Sequence, residues 1–122
     1  METIKIPALA LEWTEWLPWD DFKLNLRGRS IPKTSGVYEA KLVDSQKRLT
    51  IGKTSNLCRR IERGLVKGSL PHSAGKRIRE SEDTSQIVIR WAETDRPACV
   101  EEELHRRYVE CHGELPKYVK HS

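Results

Sequence analysis

The feature that most constrains this chain lies between residues 35 and 66, where two strand-length runs are joined by a short turn and pass directly into a helix. In SGVYEAKLV (35–43), β-branched and aromatic residues stand at strand spacing, DSQK (44–47) reads as a turn, and RLTIGK (48–53) returns as a second strand. Together they predict a β-hairpin. Thr54 or Ser55 can cap the helix that follows, and Leu57, Ile61 and Leu65 recur there at four-residue steps, so they face the core. Arg59 and Arg63 then share an exposed flank, with Arg60 between flank and core.

The rest of the chain supplies three more elements and a loop. KGSLPHSAGK (67–76) is a loop of Gly, Ser and Pro, followed by a short basic helix from Lys76 to Glu80, and QIVIRWAE (86–93) is a third strand. A last helix opens with Asp95 as cap and Pro97 in its first turn, and stops at His112 and Gly113. At 100° per residue, Val100, Leu104, Tyr108 and Cys111 form one stripe, and Glu101 falls inside it. Glu102, Glu103, Arg106, Arg107 and Glu110 take the opposite side, with Glu102 to Arg106 and Glu103 to Arg107 spaced for ion pairs. A carboxylate facing inward needs a cation, a metal or several donors to offset its desolvation. The alternative for Glu101 is a helix-edge residue whose stem is buried and whose head reaches water.

Ahead of the hairpin, LEWTEWLPWDDF (11–22) places Trp13, Trp16 and Trp19 three apart with Phe22 next in step. Stacking on exposed bases is one use for such rings. Packing one side of a short helical turn against a sheet is the reading preferred here, with Pro18 barring a longer helix. The expected fold is a small α/β (α+β) sandwich: a three-stranded mixed or antiparallel sheet flanked by helices. Residues 1–34 would form a Trp-rich N-terminal segment packed on a domain of residues 35–122. At 122 residues the chain suits one domain with a modest core.

Charge narrows the function. Residues 47–79 hold ten basic side chains against the single acidic Glu62, a local net charge of +9 in a chain whose total is +4. A basic block in an otherwise acidic chain is the footprint expected for a polyanion, since bound phosphates release condensed counterions. The bland alternative is a solvated basic face. Three cysteines without a Cys-x-x-Cys pair argue against a disulfide framework and point to the cytoplasm, and Cys99, His105, Cys111 and His112 have no zinc-finger spacing. No apolar run is long enough for a membrane span. Gly52, Lys53 and Thr54 spell the end of a nucleotide-binding phosphate loop, but Lys47 stands where that loop requires its first glycine, which disfavours a nucleotide hydrolase.

Gly36-Val37-Tyr38, then eleven residues, then Thr50-Ile51-Gly52 with Asn56-Leu57 and Arg60 after it, and Glu101 in Ala98-Cys99-Val100-Glu101-Glu102-Glu103-Leu104, resembles the GIY-YIG nuclease family. The likeness is greatest to its compact bacterial stand-alone members and to the N-terminal nuclease domain of the excision-repair endonuclease. The resemblance implies a DNA endonuclease, with a role in DNA repair, that hydrolyses phosphodiester bonds with Mg2+ or Mn2+. It implies that Tyr38 activates or orients the attacking water, Arg60 stabilises charge on the phosphate and Glu101 holds the metal. Lys53 would contact phosphate and lower the pKa of Tyr38, and His72 is a further acid-base or phosphate-binding candidate. Tyr38, Arg60 and Glu101 would converge on one concave face near Lys53, while Arg59, Arg63, Lys67, Lys76 and Arg77 would hold DNA. Thr50 replaces the second motif tyrosine, Val119 the terminal asparagine and Gly64 a helical histidine. The rival implied by those losses is a non-catalytic nucleic-acid-binding module.

Overall fold

The hairpin forms where side-chain alternation puts it, in a computed structural model that describes residues 11–24 and 31–119. Strands β2 (Gly36–Leu42) and β3 (Thr50–Thr54) pair antiparallel, with Tyr38 opposite Gly52 and Val37 opposite Lys53. On the other side of β2, strand β4 (Ile87–Glu93) also runs antiparallel, with Trp91 opposite Tyr38 and Arg90 opposite Glu39. A fourth strand exceeds the expected three: β1 is only Leu17–Pro18, which pairs antiparallel with β4 at Ile89 and Val88. Two residues are too few to show a period in sequence. The order is β1-β4-β2-β3, and the sheet is wholly antiparallel.

Because successive residues of a strand point to opposite faces, the register sorts the side chains into two layers. The front face carries Tyr38, Ala40, Ile89 and Trp91, and it is covered by α1 (Trp19–Lys23), a π helix (Arg59–Val66) and α2 (Ser73–Ser81). Leu57, Ile61 and Leu65 are all fully buried there, as their spacing predicts. The wide π turn was not legible in that spacing; Lys67 N–H donates to Glu62 O at 2.9 Å, five residues back. Arg79 of α2 donates from Nη1 to the Gly64 and Leu65 carbonyls at 3.1 and 2.7 Å, satisfying acceptors that the end of the helix leaves open.

The back face carries Val37 and Ala92, against which α3 (Pro97–His112) sets Val100 and, at the margin, Leu104. Arg96, not Asp95, occupies the N-cap position, and its N–H donates to Thr94 Oγ1 at 3.1 Å. Cys111 is exposed rather than part of the apolar stripe; the His112 ring, 4.2 Å from Tyr108, gives the cover there. Arg106 pairs with Glu103 and Glu110, and Arg107 with Glu103 at 2.9 Å, so Glu103 and Glu110 take the partner foreseen for Glu102. Gly113 closes the helix in the left-handed region, at φ 79°.

The tryptophans divide between the faces instead of lining one helical turn. Trp19 and Phe22 sit on α1 and are buried in front, Phe22 edge-on to Trp91 at 6.0 Å. Trp13 and Trp16 precede Pro18 in extended chain and lie on the back, so the segment straddles the sheet edge. Beneath them is a charged cluster that alternation in EAKLV and IVIRW places together. Glu39, 4% exposed, accepts from Arg48 Nε at 2.9 Å and Arg90 Nε at 3.0 Å, while the Arg90 guanidinium stacks 4.2 Å from Trp13 and 4.5 Å from Trp16. A buried carboxylate between two stacked guanidinium groups answers its desolvation cost with hydrogen bonds.

Candidate active site

Three of the expected residues meet on the front face. The Tyr38 side chain, 2% exposed, crosses over Gly52 of the neighbouring strand: a Cβ there would stand 2.4 Å from its hydroxyl oxygen and 2.5 Å from Cζ. At its tip, Tyr38 Oη lies 2.9 Å from His72 Nε2 and receives Arg60 Nε–H at 3.3 Å. The imidazole arrives from the loop before α2, not from the helix that carries Arg60. Gly64, one turn beyond Arg60, leaves room for it, since a Cβ on Gly64 would be 3.1 Å from His72 Cδ2.

The backbone fixes the protonation of this cluster. His72 is the N-cap of α2, and its Nδ1 accepts from Gly75 N–H at 3.0 Å. A nitrogen that accepts carries no proton, so the neutral ring bears its hydrogen on Nε2 and donates to Tyr38. Burial, with the charges of Arg60 and Arg79, pushes the His72 pKa down from 6.5 to about 4, which keeps the ring neutral. The Tyr38 oxygen therefore takes two donors. Burial raises the phenol pKa above 10.0, the charge and hydrogen bond of Arg60 pull it down, and the charge of Glu101 raises it.

Glu101 and Lys53 form a second pair beside this cluster. Lys53 follows Gly52 along β3 and so points to the back, where its Nζ lies 3.6 Å from Glu101 Oε1 on α3. The Glu101 side chain is 22% exposed, a helix-edge carboxylate paired with a cation. The two halves meet across β3, the outermost strand, with Gly52 between them, and the charge of Glu101 reaches Tyr38 around it. Among the described residues no three His, Cys, Asp or Glu side chains gather as metal ligands. Glu101 as a lone carboxylate suits Mg2+, which binds through one or two carboxylates and keeps water and phosphate oxygens as its other ligands.

Arg59, Arg63 and Lys67 on or after the π helix, and Lys76 and Arg77 on α2, are all exposed, and the two helices pack in one layer beside Tyr38. Thr50 is 3% exposed on the same face as Tyr38, two residues from Gly52. Val119 ends the described chain, its N–H donating to Pro116 O at 3.1 Å, and lines a cavity with Tyr108 and Leu42 rather than with Arg60.

Among solved structures, the GIY-YIG N-terminal endonuclease domain of UvrC from Thermotoga maritima, in its magnesium-bound form, matches with a TM-score of 0.53 and 23% identity over 80% of this chain and 97% of that one. Two point mutants of the same domain, bound to its catalytic divalent cation, match with the same score and identity over 81% of this chain. The chain has the GIY-YIG fold. At 23% identity the likeness is one of fold, and neither a protein-family model nor a curated protein matches the sequence. Within the GIY-YIG fold, sequence alone did not foresee the place of His72 beside Gly64, nor the buried Glu39 cluster. The first needed the path of the 67–72 loop; the second was signalled by Glu39 and Arg90 at inward positions of adjacent strands. Among the described residues, no helix is long and apolar enough to cross a membrane.

Proposed function

We propose that the chain is an endonuclease that hydrolyses phosphodiester bonds in DNA with Mg2+ or Mn2+. The observation that carries this reading is the Tyr38 hydroxyl, whose oxygen receives both His72 Nε2–H and Arg60 Nε–H. With both donors in place, the phenolic proton turns away from them, toward an incoming acceptor. Passed to solvent, that proton leaves a phenolate whose charge Arg60 would stabilise, and the phenolate would then accept a proton from the water attacking phosphorus. Arg60 also offers positive charge to the non-bridging oxygens of the transition state. Lys53 exchanges Glu101 for a phosphate oxygen, freeing the carboxylate to hold the cation. Glu101 would hold the cation, whose positive charge would serve the phosphate and the departing 3′ oxygen.

Arg59, Arg63, Lys67, Lys76 and Arg77 would hold the flanking backbone. The T. maritima domain, an endonuclease domain with a catalytic divalent cation, supports the reading through its fold and suggests a repair role by analogy. Cys58, Cys99 and Cys111 form no disulfide, which accords with a cytoplasmic setting. One observation favours the rival binding module: Glu101, the one carboxylate of the site among the described residues, is already paired with Lys53. Plasmid nicking with and without Mg2+ or Mn2+ separates the two. Metal-dependent nicking, abolished in Glu101→Gln and retained in Glu102→Gln, is the expected result. No nicking by the intact protein, or equal activity in both variants, removes the catalytic assignment.

A further inference from the structure

Beside the reaction centre is a small cavity that the chemistry above does not use. It has a volume of about 240 Å3, and Arg60 forms one of its walls while also donating to Tyr38. Gly64 lines it too, and Leu70 with Pro71 gives it an apolar part beside the polar Ser55, Asn56 and Arg59. Asn56 Oδ1 already accepts from Arg59 N–H at 3.0 Å, so its two amide hydrogens remain the groups it can offer a ligand. The apolar wall is held in place, with Leu70 N–H donating to Arg63 O at 3.1 Å, and Pro71 is joined directly to His72, which ends on Tyr38.

From this arrangement we infer that the cavity is a subsite for one nucleoside, the unit next to the phosphodiester held by Arg60. This rests on the nuclease reading and adds a binding site to it. The volume is below the roughly 300–1,000 Å3 that encloses a drug-sized ligand. It suits a single planar ring system. An apolar wall for the base, amide and hydroxyl groups for its edge, and a guanidinium on each neighbouring phosphate are the groups that a nucleotide with phosphates on both sides requires. The wall and the histidine belong to one loop, so a nucleoside seated against Leu70 and Pro71 steadies the segment that delivers His72 to Tyr38.

The test is binding, without metal and without turnover. Thymidine 3′,5′-bisphosphate and the same bisphosphate of base-free 2-deoxyribose are titrated by calorimetry into the intact protein and into Leu70→Trp, whose indole fills the cavity. The nucleotide should bind the native protein about five- to tenfold more tightly than the base-free sugar, the scale of one lost base contact, and should shift the amide resonances of Ser55, Asn56 and Leu70. Leu70→Trp, with an unchanged circular dichroism spectrum, should bind both alike. Equal affinities in the native protein, a preference kept in the variant, or shifts elsewhere would overturn the subsite. A protein that shows the preference yet nicks no plasmid keeps the subsite and loses the nuclease.

Discussion

Gly52 is the narrowest point of the site, and replacing it by alanine asks one methyl group to share space with the Tyr38 ring. The added Cβ would meet Oη at 2.4 Å, Cζ at 2.5 Å and Cε1 at 3.0 Å, whereas ordinary van der Waals contact begins at 3.4 Å. The hydroxyl must therefore retreat by about 1 Å, the difference between 3.4 and 2.4. It cannot do so and keep both its 2.9 Å contact to His72 and its 3.3 Å contact to Arg60. Overpacking a buried side chain costs about 2 kcal/mol, and replacing a strand glycine by alanine returns roughly 0.5–1 kcal/mol. The net loss is about 1–1.5 kcal/mol. For a domain of this size that lowers the melting temperature by about 4–6 °C, read by circular dichroism. Misplacing a reacting group by about 1 Å costs on the order of 100-fold in rate, read by metal-dependent plasmid nicking. Gly113→Ala is the control: its φ of 79° makes alanine strained, but nothing lies within 4 Å of the new Cβ. It should lose about 1 kcal/mol and no activity. A Gly52→Ala protein that melts with the native one and nicks at full rate would refute the argument that glycine is there to let Tyr38 pass.

Three further outcomes follow from features away from that contact. His72 has a folded pKa of about 4 against 6.5 unfolded, so the unfolded chain binds the extra proton first; this contribution is complete above pH 6.5 and is lost as pH falls through 4. Its size is at most about 3 kcal/mol, and denaturant titrations at pH 7 and 4.5 should show His72→Gln with a shallower acid loss than the native protein. An identical pH dependence would mean that the ring is not held neutral by the fold. Glu39→Gln leaves Arg48 and Arg90 facing each other without the charge between them, and should cost about 3 kcal/mol, since both guanidinium groups keep some water contact; a melting temperature within 2 °C of native would remove the cluster from the account of stability. Arg59→Glu with Arg63→Glu should weaken DNA binding for all sequences and flatten the salt dependence by about one unit of slope for each arginine that touches a phosphate; fluorescence anisotropy at several salt concentrations measures this, and an unchanged slope would place DNA elsewhere.

Where one period dominated, the sequence was legible. β2, β3 and β4 appear at their expected places because half-buried strands alternate, and α3 ends at Gly113 because only that residue takes the left-handed cap without strain. The π helix was hidden because Leu57, Ile61 and Leu65 repeat every four residues, a spacing that serves either kind of helix. Its carbonyls at Gly64 and Leu65 are met by Arg79 of α2, 15 and 14 residues further on, a partner that periodicity does not reveal. For the site, the family resemblance offered Tyr38, Arg60, Lys53 and Glu101, with His72 as a loop candidate, but not the strand face from which each side chain leaves. That follows from adjacency: Gly52 and Lys53 are neighbours in one strand and must point oppositely. A reading by motif treats the two as one unit; a reading by pleat separates them.

The central position of β2 bears on how the chain comes to be folded during synthesis. Its hairpin partner β3 is local, but its other neighbour, β4, begins at Ile87, about fifty residues after β2 starts. A nascent chain that has emerged only as far as α2 already presents Tyr38, Arg60 and His72, yet Trp91, the residue opposite Tyr38 across the sheet, is still inside the exit tunnel. Pairing at that sequence separation is slow compared with helix and hairpin closure. The phenol and its donors are thus chemically complete before they are mechanically supported, and β4 locks the cluster on arriving along β2. Released chains truncated before residue 87 should leave Tyr38 open to labelling, and the 122-residue chain should protect it.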